Sequence, residues 1–553
     1  MLNDYLNITI TFLRNSILLL PNKKYFTRII ITLLIVIYQI RLDAQQVVWQ
    51  IGKFDNSSRE FHYGRVGGSN EEIQLHKEAI NFIIGKSSES KDWPSYLPAS
   101  NNQANKKTYL YKVNFNLKQT PSGTYLFNAG FTNIDLLSSG LGSTRRMSIL
   151  VININGHEGR AYQHPRWNDE KKYWEDGIKT EIPVNYLRKG DNTLTLSAVD
   201  EPPASDRHSN DGFYFDALEF IRESEIKPGE TNVKVEPTIF YKNKNGKLFE
   251  DIDVYVTTNS FTSGERLTLE LNGHRYDASL SRSQRFGEQR IEFEVPEFKP
   301  ATELKVNVVS DQNDENYSYV INPAKKWKIF MVPDVHLDIG FTDYRAKVAA
   351  SQTKVLDEAM KMMKAQPDFS FSPDGFWIIQ QFLNSRIKAG REKLYKLASE
   401  KKIFVPGQYA NLLTGFPSVE TLIRSLYPSF EFDKQHELDF DYASITDVPS
   451  YSWSYASVMA AAGLKYFIAA SNNGHAPIFE LGSLDEQSPF WWEGPDDGKI
   501  LMWYTKRYSQ IARMFGVNPD LDAGHDALPR FLSLFKPEYK SDAVLLDGAQ
   551  HEN

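Results

Sequence analysis

His336 and Asp338 stand two positions apart in KWKIFMVPDVHLDIGFTD, Lys326 to Asp343, at the end of a short apolar run and just before Gly340. An imidazole and a carboxylate at that spacing, past the end of a strand, can converge on one divalent cation, while Gly340 lets the backbone come close. Such a pair alone is weak evidence, because most His-x-Asp pairs are solvated loop residues. The chain has no cysteine, which excludes disulfides, thiolate zinc sites and cysteine nucleophiles. Any metal must therefore be held by His, Asp, Glu or Asn.

Other residues of suitable type follow. Asp374 and Trp377 lie in DFSFSPDGFWIIQQFL, Glu420 and Arg424 in VETLIRSL, Asp447 in ITDVPSYSWSYAS, and Trp491 and Trp492 in FWWEGPDDGKILMW. Asp447 follows the strand-like DYASI and precedes a helical pattern, so a strand-end location is expected. A turn or N-capping Asp before Pro449 is the plainer use of that position. Asp374, before Gly375, also suits a turn. Trp377, Trp491 and Trp492 could form a platform for a sugar ring, although any one of them is more often buried packing.

The elements that must position these residues fall into several units, as 553 residues exceed one typical core. Residues 1–44 read as an export signal: Lys23, Lys24 and Arg28 precede the apolar run Ile29 to Ile40, and Ala44 precedes Gln45 as a small cleavage-site residue. That run is too short for a permanent membrane span. A secreted or periplasmic location is expected. Residues 45–228 show short alternating runs between turn signals, the pattern of an all-β sandwich. Residues 229–324 form a second such unit, in which ERLTLELNG sets Leu267, Leu269 and Leu271 on one face. From residue 325 to 553, strand-like runs alternate with helical patterns, as in an α/β barrel. Val348, Val355, Leu356, Ala359 and Met363 share one helical face there, and Met360, Met362 and Met363 read as core filling. The expected architecture is multidomain, two all-β sandwiches followed by an incomplete α/β (β/α) barrel. Net charge is -7 and no basic run is interleaved with aromatics, so nucleic acid is not an expected partner.

The segments quoted above resemble, in order, the N-terminal catalytic domain of family 38 glycoside hydrolases, the retaining α-mannosidases. HLDIGF, His336 to Phe341, looks like the His-x-Asp-x-Gly-[Trp/Phe] segment that ends their first barrel strand. The resemblance implies zinc, or another divalent cation, held by His336, Asp338, an Asp that also acts as nucleophile, and a later His. It also implies that the metal grips adjacent hydroxyls of the sugar and that α-glycosidic bonds of a polysaccharide or oligosaccharide are hydrolysed. A retaining glycosidase needs two carboxyl groups about 5 Å apart.

The chain departs from the family where the nucleophilic Asp is expected. GQYANLLTGFPSVETLIR places Asn411 roughly there, with Leu413 the other alignment. An amide can ligate a metal or hydrogen-bond a sugar, but it cannot form a normal glycosyl ester. Either the nucleophile has moved, with Asp447 the best candidate, or the mechanism differs, or the domain is inactive. The barrel reads as unfinished at VLLDGAQHEN, so the chain looks C-terminally truncated and His551 is the candidate for the later metal ligand. Asp447 and Asn411 are thus the catalytic candidates, Asp374, Trp377 and Trp491 the substrate-binding ones, and His336, Asp338 and His551 the metal-binding ones.

The opening VVWQIGKFDNSSREF and the closing FYFDALEFI of the first sandwich resemble the carbohydrate-binding sandwich appended to rhamnogalacturonan lyases. This implies binding of plant polysaccharide, against the plainer role of a packing module. Three readings follow: an exported metal-dependent glycoside hydrolase, an inactive or truncated carbohydrate-binding protein, and a pectin-lyase-associated protein suggested only by the first sandwich.

Overall fold

The computed structural model describes, with short gaps, residues 45–62, 79–100, 108–132, 148–200, 212–223, 231–309, 314–472, 484–505 and 508–548. The export signal read at residues 1–44, and His551, lie outside the described residues. Among the described residues no helix is long and apolar enough to cross a membrane.

Strict alternation builds the first sandwich. In the strand Leu110–Leu117, Tyr111, Val113, Phe115 and Leu117 point into the core while Leu110, Lys112 and Asn116 face solvent, because successive side chains of a strand take opposite faces. Trp49 joins that core, stacked on Phe220 with ring centres 5.6 Å apart. Register is set by turn chemistry. Asn155-Gly156, Asn245-Gly246 and Asn272-Gly273 each link two adjacent antiparallel strands, and all these residues have positive φ. A two-residue type I′ turn needs that conformation at both central positions, which Asn tolerates and Gly adopts freely.

The second sandwich packs one sheet, containing Lys247–Thr258 and Phe286–Pro296, on another containing Arg266–Leu271 and Thr302–Val309. Leu267, Leu269 and Leu271 are all buried, as the period-two pattern requires, against Ile252, Val254 and Val306. The two sandwiches share a seam. Phe286–Pro296 runs parallel to His157–Tyr162 of the first sandwich, pairing Phe286 with Gly159 and Gly287 with Arg160. Phe286 lies in the core of the first sandwich, its ring in the space that a Cβ on Gly159 would need. Gly287, at φ +93°, approaches so closely that a Cβ there would sit 2.1 Å from the Arg160 carbonyl oxygen. Glu288 then accepts the Tyr162 amide at 3.1 Å and meets the His164 ring at 2.8 Å.

One ladder of the second sandwich carries an electrostatic cost. Asp253 stands directly across from Glu236 on one neighbouring strand and Glu292 on the other, and like charges so placed repel. Burial first, then those two carboxylates, push Asp253 up to about 6 against the opposing pull of Arg290. The folded chain therefore binds this proton more tightly than the unfolded chain, whose Asp titrates near 3.8. Stability is expected to fall as pH rises from about 4 through about 6. Asp253→Asn should flatten that part of the profile, as read from unfolding midpoints at pH 4 to 7. A slope unchanged from the parent would refute the assignment.

The C-terminal domain is α/β. Lys328–Val332 pairs in parallel with Ala543–Asp547, and Tyr442–Thr446, Tyr466–Ala470 and Lys499–Thr505 form a second parallel group, edged by the antiparallel Phe490–Glu493. Main-chain bonds from Ser372 to Pro333, from Phe371 to Lys402 and from Gly407 to Tyr442 connect the two groups. Helices Arg345–Ala365, Phe376–Ser385, Lys388–Ser399, Val419–His436 and Trp453–Ala461 lie between strands in the chain. Val348, Leu356, Ala359, Met360 and Met363 are buried on the first of these, while Met362 is exposed.

The second sandwich grips this domain where its first strand begins. A register shift between Pro237 and Tyr241 releases Ile239 to pack with Trp327, Ile329 and Phe535. In the connecting segment Lys325 lies over the Trp327 ring at 4.1 Å and donates to the carbonyls of Tyr539 and Ser541 at 2.9 and 2.6 Å.

Candidate active site

The chain leaves the strand Lys328–Val332 through Pro333 and turns His336 inward, where it is almost wholly buried. The His336 carbonyl accepts from the Gln352 side chain at 2.9 Å, which ties this segment to the helix Arg345–Ala365. Gly340 has φ +87°, with nothing near a Cβ built on it. It serves the turn, correcting the expectation of a close backbone approach. Asp447 follows directly on the strand Tyr442–Thr446 and has φ 57°, an uncommon state for a non-glycine residue that concentrates at functional sites. It caps no helix, since the N-cap of Trp453–Ala461 is Ser452.

These elements bring one imidazole among three carboxylates. His336 Nε2 lies 3.2 Å from Asp338 Oδ2 and 3.3 Å from Asp447 Oδ2. On the other side of the ring, Nδ1 is 2.8 Å from Thr446 Oγ1 and 3.3 Å from Asp374 Oδ2. The Thr446 hydroxyl donates to Asp374 at 2.5 Å, so its oxygen is left to accept the Nδ1 proton. This relay keeps a proton on Nδ1 and leaves Nε2 facing Asp338 and Asp447. Burial alone would hold the His336 imidazolium below its ordinary range, but hydrogen bonds to Asp374 and Asp447 and the charges of Asp374 and Asp338 outweigh it, raising the group to about 10.

Asp374 is fully buried beneath this ring, where Oδ2 also accepts from the Leu337 amide at 3.0 Å and from Asn411 Nδ2 at 2.6 Å. Asp374 is thus placed behind His336 rather than at a surface open to a sugar. Asn411 joins the cluster through its side chain, and Asp447 Oδ1 accepts from Asn472 at 2.6 Å. Trp377, expected on a sugar platform, is 1% exposed and packs in the core with Phe376, Ile378 and Phe382, so its rings are not presented to a ligand. Trp491 is exposed on the edge strand Phe490–Glu493, and among the described residues no contact joins it to the cluster; Trp492 packs on Phe467.

Sequence reasoning missed Thr446, Tyr508 and Asp334. Tyr508 sets its ring 5.1 Å from that of His336. Asp334 is buried, and its burial, with the charges of Asp374 and Asp547, pushes its carboxyl well above the usual range. A signal for Asp334 was present: Asp334, His336 and Asp338 alternate, as residues sharing one face of an extended segment do.

Among the described residues no group of three or more His, Asp or Glu side chains is arranged as a ready metal cage. His336, Asp338 and Asp447 are nevertheless of the side-chain types that ligate divalent cations. Nε2 stands 3.2 and 3.3 Å from the two carboxylate oxygens, so the three side chains converge on one point. A carboxylate behind the other ring nitrogen is the usual support for a metal-binding imidazole.

Residues 326–542 match the glycosyl hydrolases family 38 N-terminal domain, and residues 47–220 match a CBM-like domain, polysaccharide lyase family 4 domain III. Two solved structures similar to the chain are an α-mannosidase from Enterococcus faecalis V583 and a glycosyl hydrolase family 38 protein from Enterococcus faecalis. They are 16% and 17% identical, with TM-scores of 0.35 and 0.31; each comparison covers 41% of this chain and, respectively, 25% and 24% of the other. The chain thus spans about a quarter of the length of those proteins. No curated protein matches it.

Proposed function

We propose that the chain is an exported glycoside hydrolase acting on α-glycosidic bonds of glycans in the manner of the retaining α-mannosidases, with zinc or another divalent cation bound by His336, Asp338 and Asp447. The observation that carries this reading is the placement of His336 Nε2 between two carboxylates, with Nδ1 anchored by Thr446 and Asp374. When bound, the cation supplies positive charge that can hold adjacent hydroxyls of a sugar ring. Asp338 and Asp447 are each about a quarter exposed, so they can reach a ligand while the imidazole beneath them stays dry. Asp447 is the nucleophile in this reading, held in orientation by its strained backbone and by Asn472. The first sandwich would hold the polymer from which the sugar is cleaved.

A second reading, a carbohydrate-binding protein without catalysis, is favoured by Asn411, an amide bonded into the cluster where a carboxylate was expected. Hydrolysis of an aryl α-mannoside by the full chain distinguishes the two. Activity should disappear on chelation and return with added zinc. Equal rates with and without chelator would reject metal-dependent hydrolysis. Glycan binding without turnover under any condition would select the second reading.

A further inference from the structure

The Asn411 side chain is oriented by partners on both sides. Its Oδ1 accepts the Thr446 amide at 3.3 Å, while Nδ2 faces Asp374 Oδ2 at 2.6 Å and Thr446 Oγ1 at 3.3 Å. Turning the amide over would set its oxygen against the Asp374 carboxylate and its NH2 against an N–H donor, so the network admits one orientation. Asp374 is fully buried and collects donors from three segments of the chain: the Leu337 amide, Asn411 and Thr446. Thr446, held between Asn411 and Asp374, is also the group that meets His336 Nδ1. The backbones are brought together closely as well, since a Cβ on Gly375 would lie 2.8 Å from the Tyr409 carbonyl oxygen.

We infer that Asn411 is a positioning residue whose amide must donate to Asp374, so that Asp374 and Thr446 hold His336 with Nε2 facing Asp338 and Asp447. This rests on the cation reading proposed above for the same site. Asn411 is then not a vacant place for a nucleophile. An ionised carboxylate at 411 has no hydrogen to give, and it would set oxygen against oxygen at the short distance the present hydrogen bond occupies, beside the fully buried Asp374. Installing an acid there would loosen the support of the imidazole instead of adding a catalytic group.

The test uses the full chain and two variants: Asn411→Asp, which puts an oxygen in place of the donor, and Asn411→Ala, which removes the donor. Zinc affinity is read by competition with a chromophoric chelator, stability by thermal unfolding without zinc, and turnover on an aryl α-mannoside. Asn411→Asp should bind zinc about 10–100-fold more weakly, the usual effect of removing support behind a metal-binding imidazole. It should also melt below the parent and show no gain in turnover. Asn411→Ala should weaken zinc binding as well, since it too has no hydrogen to give to Asp374. Parent-like zinc affinity in either variant, a rise in turnover of Asn411→Asp, or an Asn411→Asp chain melting at the parent temperature would each overturn the inference. A parent chain that binds no zinc would instead defeat the cation reading, and the melting temperatures would still judge the role of Asn411.

Discussion

The His336→Ala chain is expected to lose zinc binding and, with it, hydrolysis of any aryl α-glycoside. The imidazole supplies the only nitrogen among the three proposed donors, so its loss should exceed the roughly 10–100-fold weakening typical when an outer partner is removed. Stability should suffer too. His336 is 2% exposed and separates Asp338 and Asp447 on one side from Asp374 on the other. Its removal leaves mutually repelling carboxylates around a void, and breaking a buried charged pair in this way costs on the order of 3–5 kcal/mol. Zinc competition and thermal unfolding report the two effects separately. A variant that binds zinc as the parent does would place the cation elsewhere.

Phe286→Ala is expected to destabilise the first sandwich even though the residue begins a strand of the second. The ring is fully buried among residues of the first core, over Gly159, and truncating a buried Phe typically costs about 3–5 kcal/mol. The parallel seam at Gly159 and Arg160 should couple the two cores, so calorimetry of the full chain should show the transitions of both sandwiches moving down together. Phe293→Ala provides the contrast, since Phe293 belongs to the core of the second sandwich alone. If Phe286→Ala left the first sandwich melting at its parental temperature, the shared core would be refuted.

Much of the architecture was legible because strand alternation is a local property. Leu267, Leu269 and Leu271 point inward as their spacing says, and the change from period two to helical spacing after residue 325 marks the α/β domain. The pairing of His336 with Asp338 was legible for the same reason, being an i, i+2 relation within one segment. Relations across segments were not. Nothing local in SPDGF reveals that Asp374 lies under an imidazole, or that Thr446 relays between them, because those contacts join positions 37 to 110 residues apart. Phe286 is hidden similarly: RFGEQ reads as an ordinary strand start, and only the parallel pairing with His157–Tyr162 takes the ring into another core. Trp377 could have been read better. FWII presents four consecutive apolar residues, the mark of a helix covered on most sides rather than of a displayed aromatic ring.

The attachment through Lys325, Trp327 and Ile239 has a further consequence. It lies before the strand Lys328–Val332, whereas His336 lies after it, and a five-residue strand spans about 16 Å. The mooring and the His336 cluster therefore occupy opposite poles of that strand. The segments bearing Asp338, Asn411 and Asp447 can change while the anchorage below keeps its fit, so selection can act on the two poles separately.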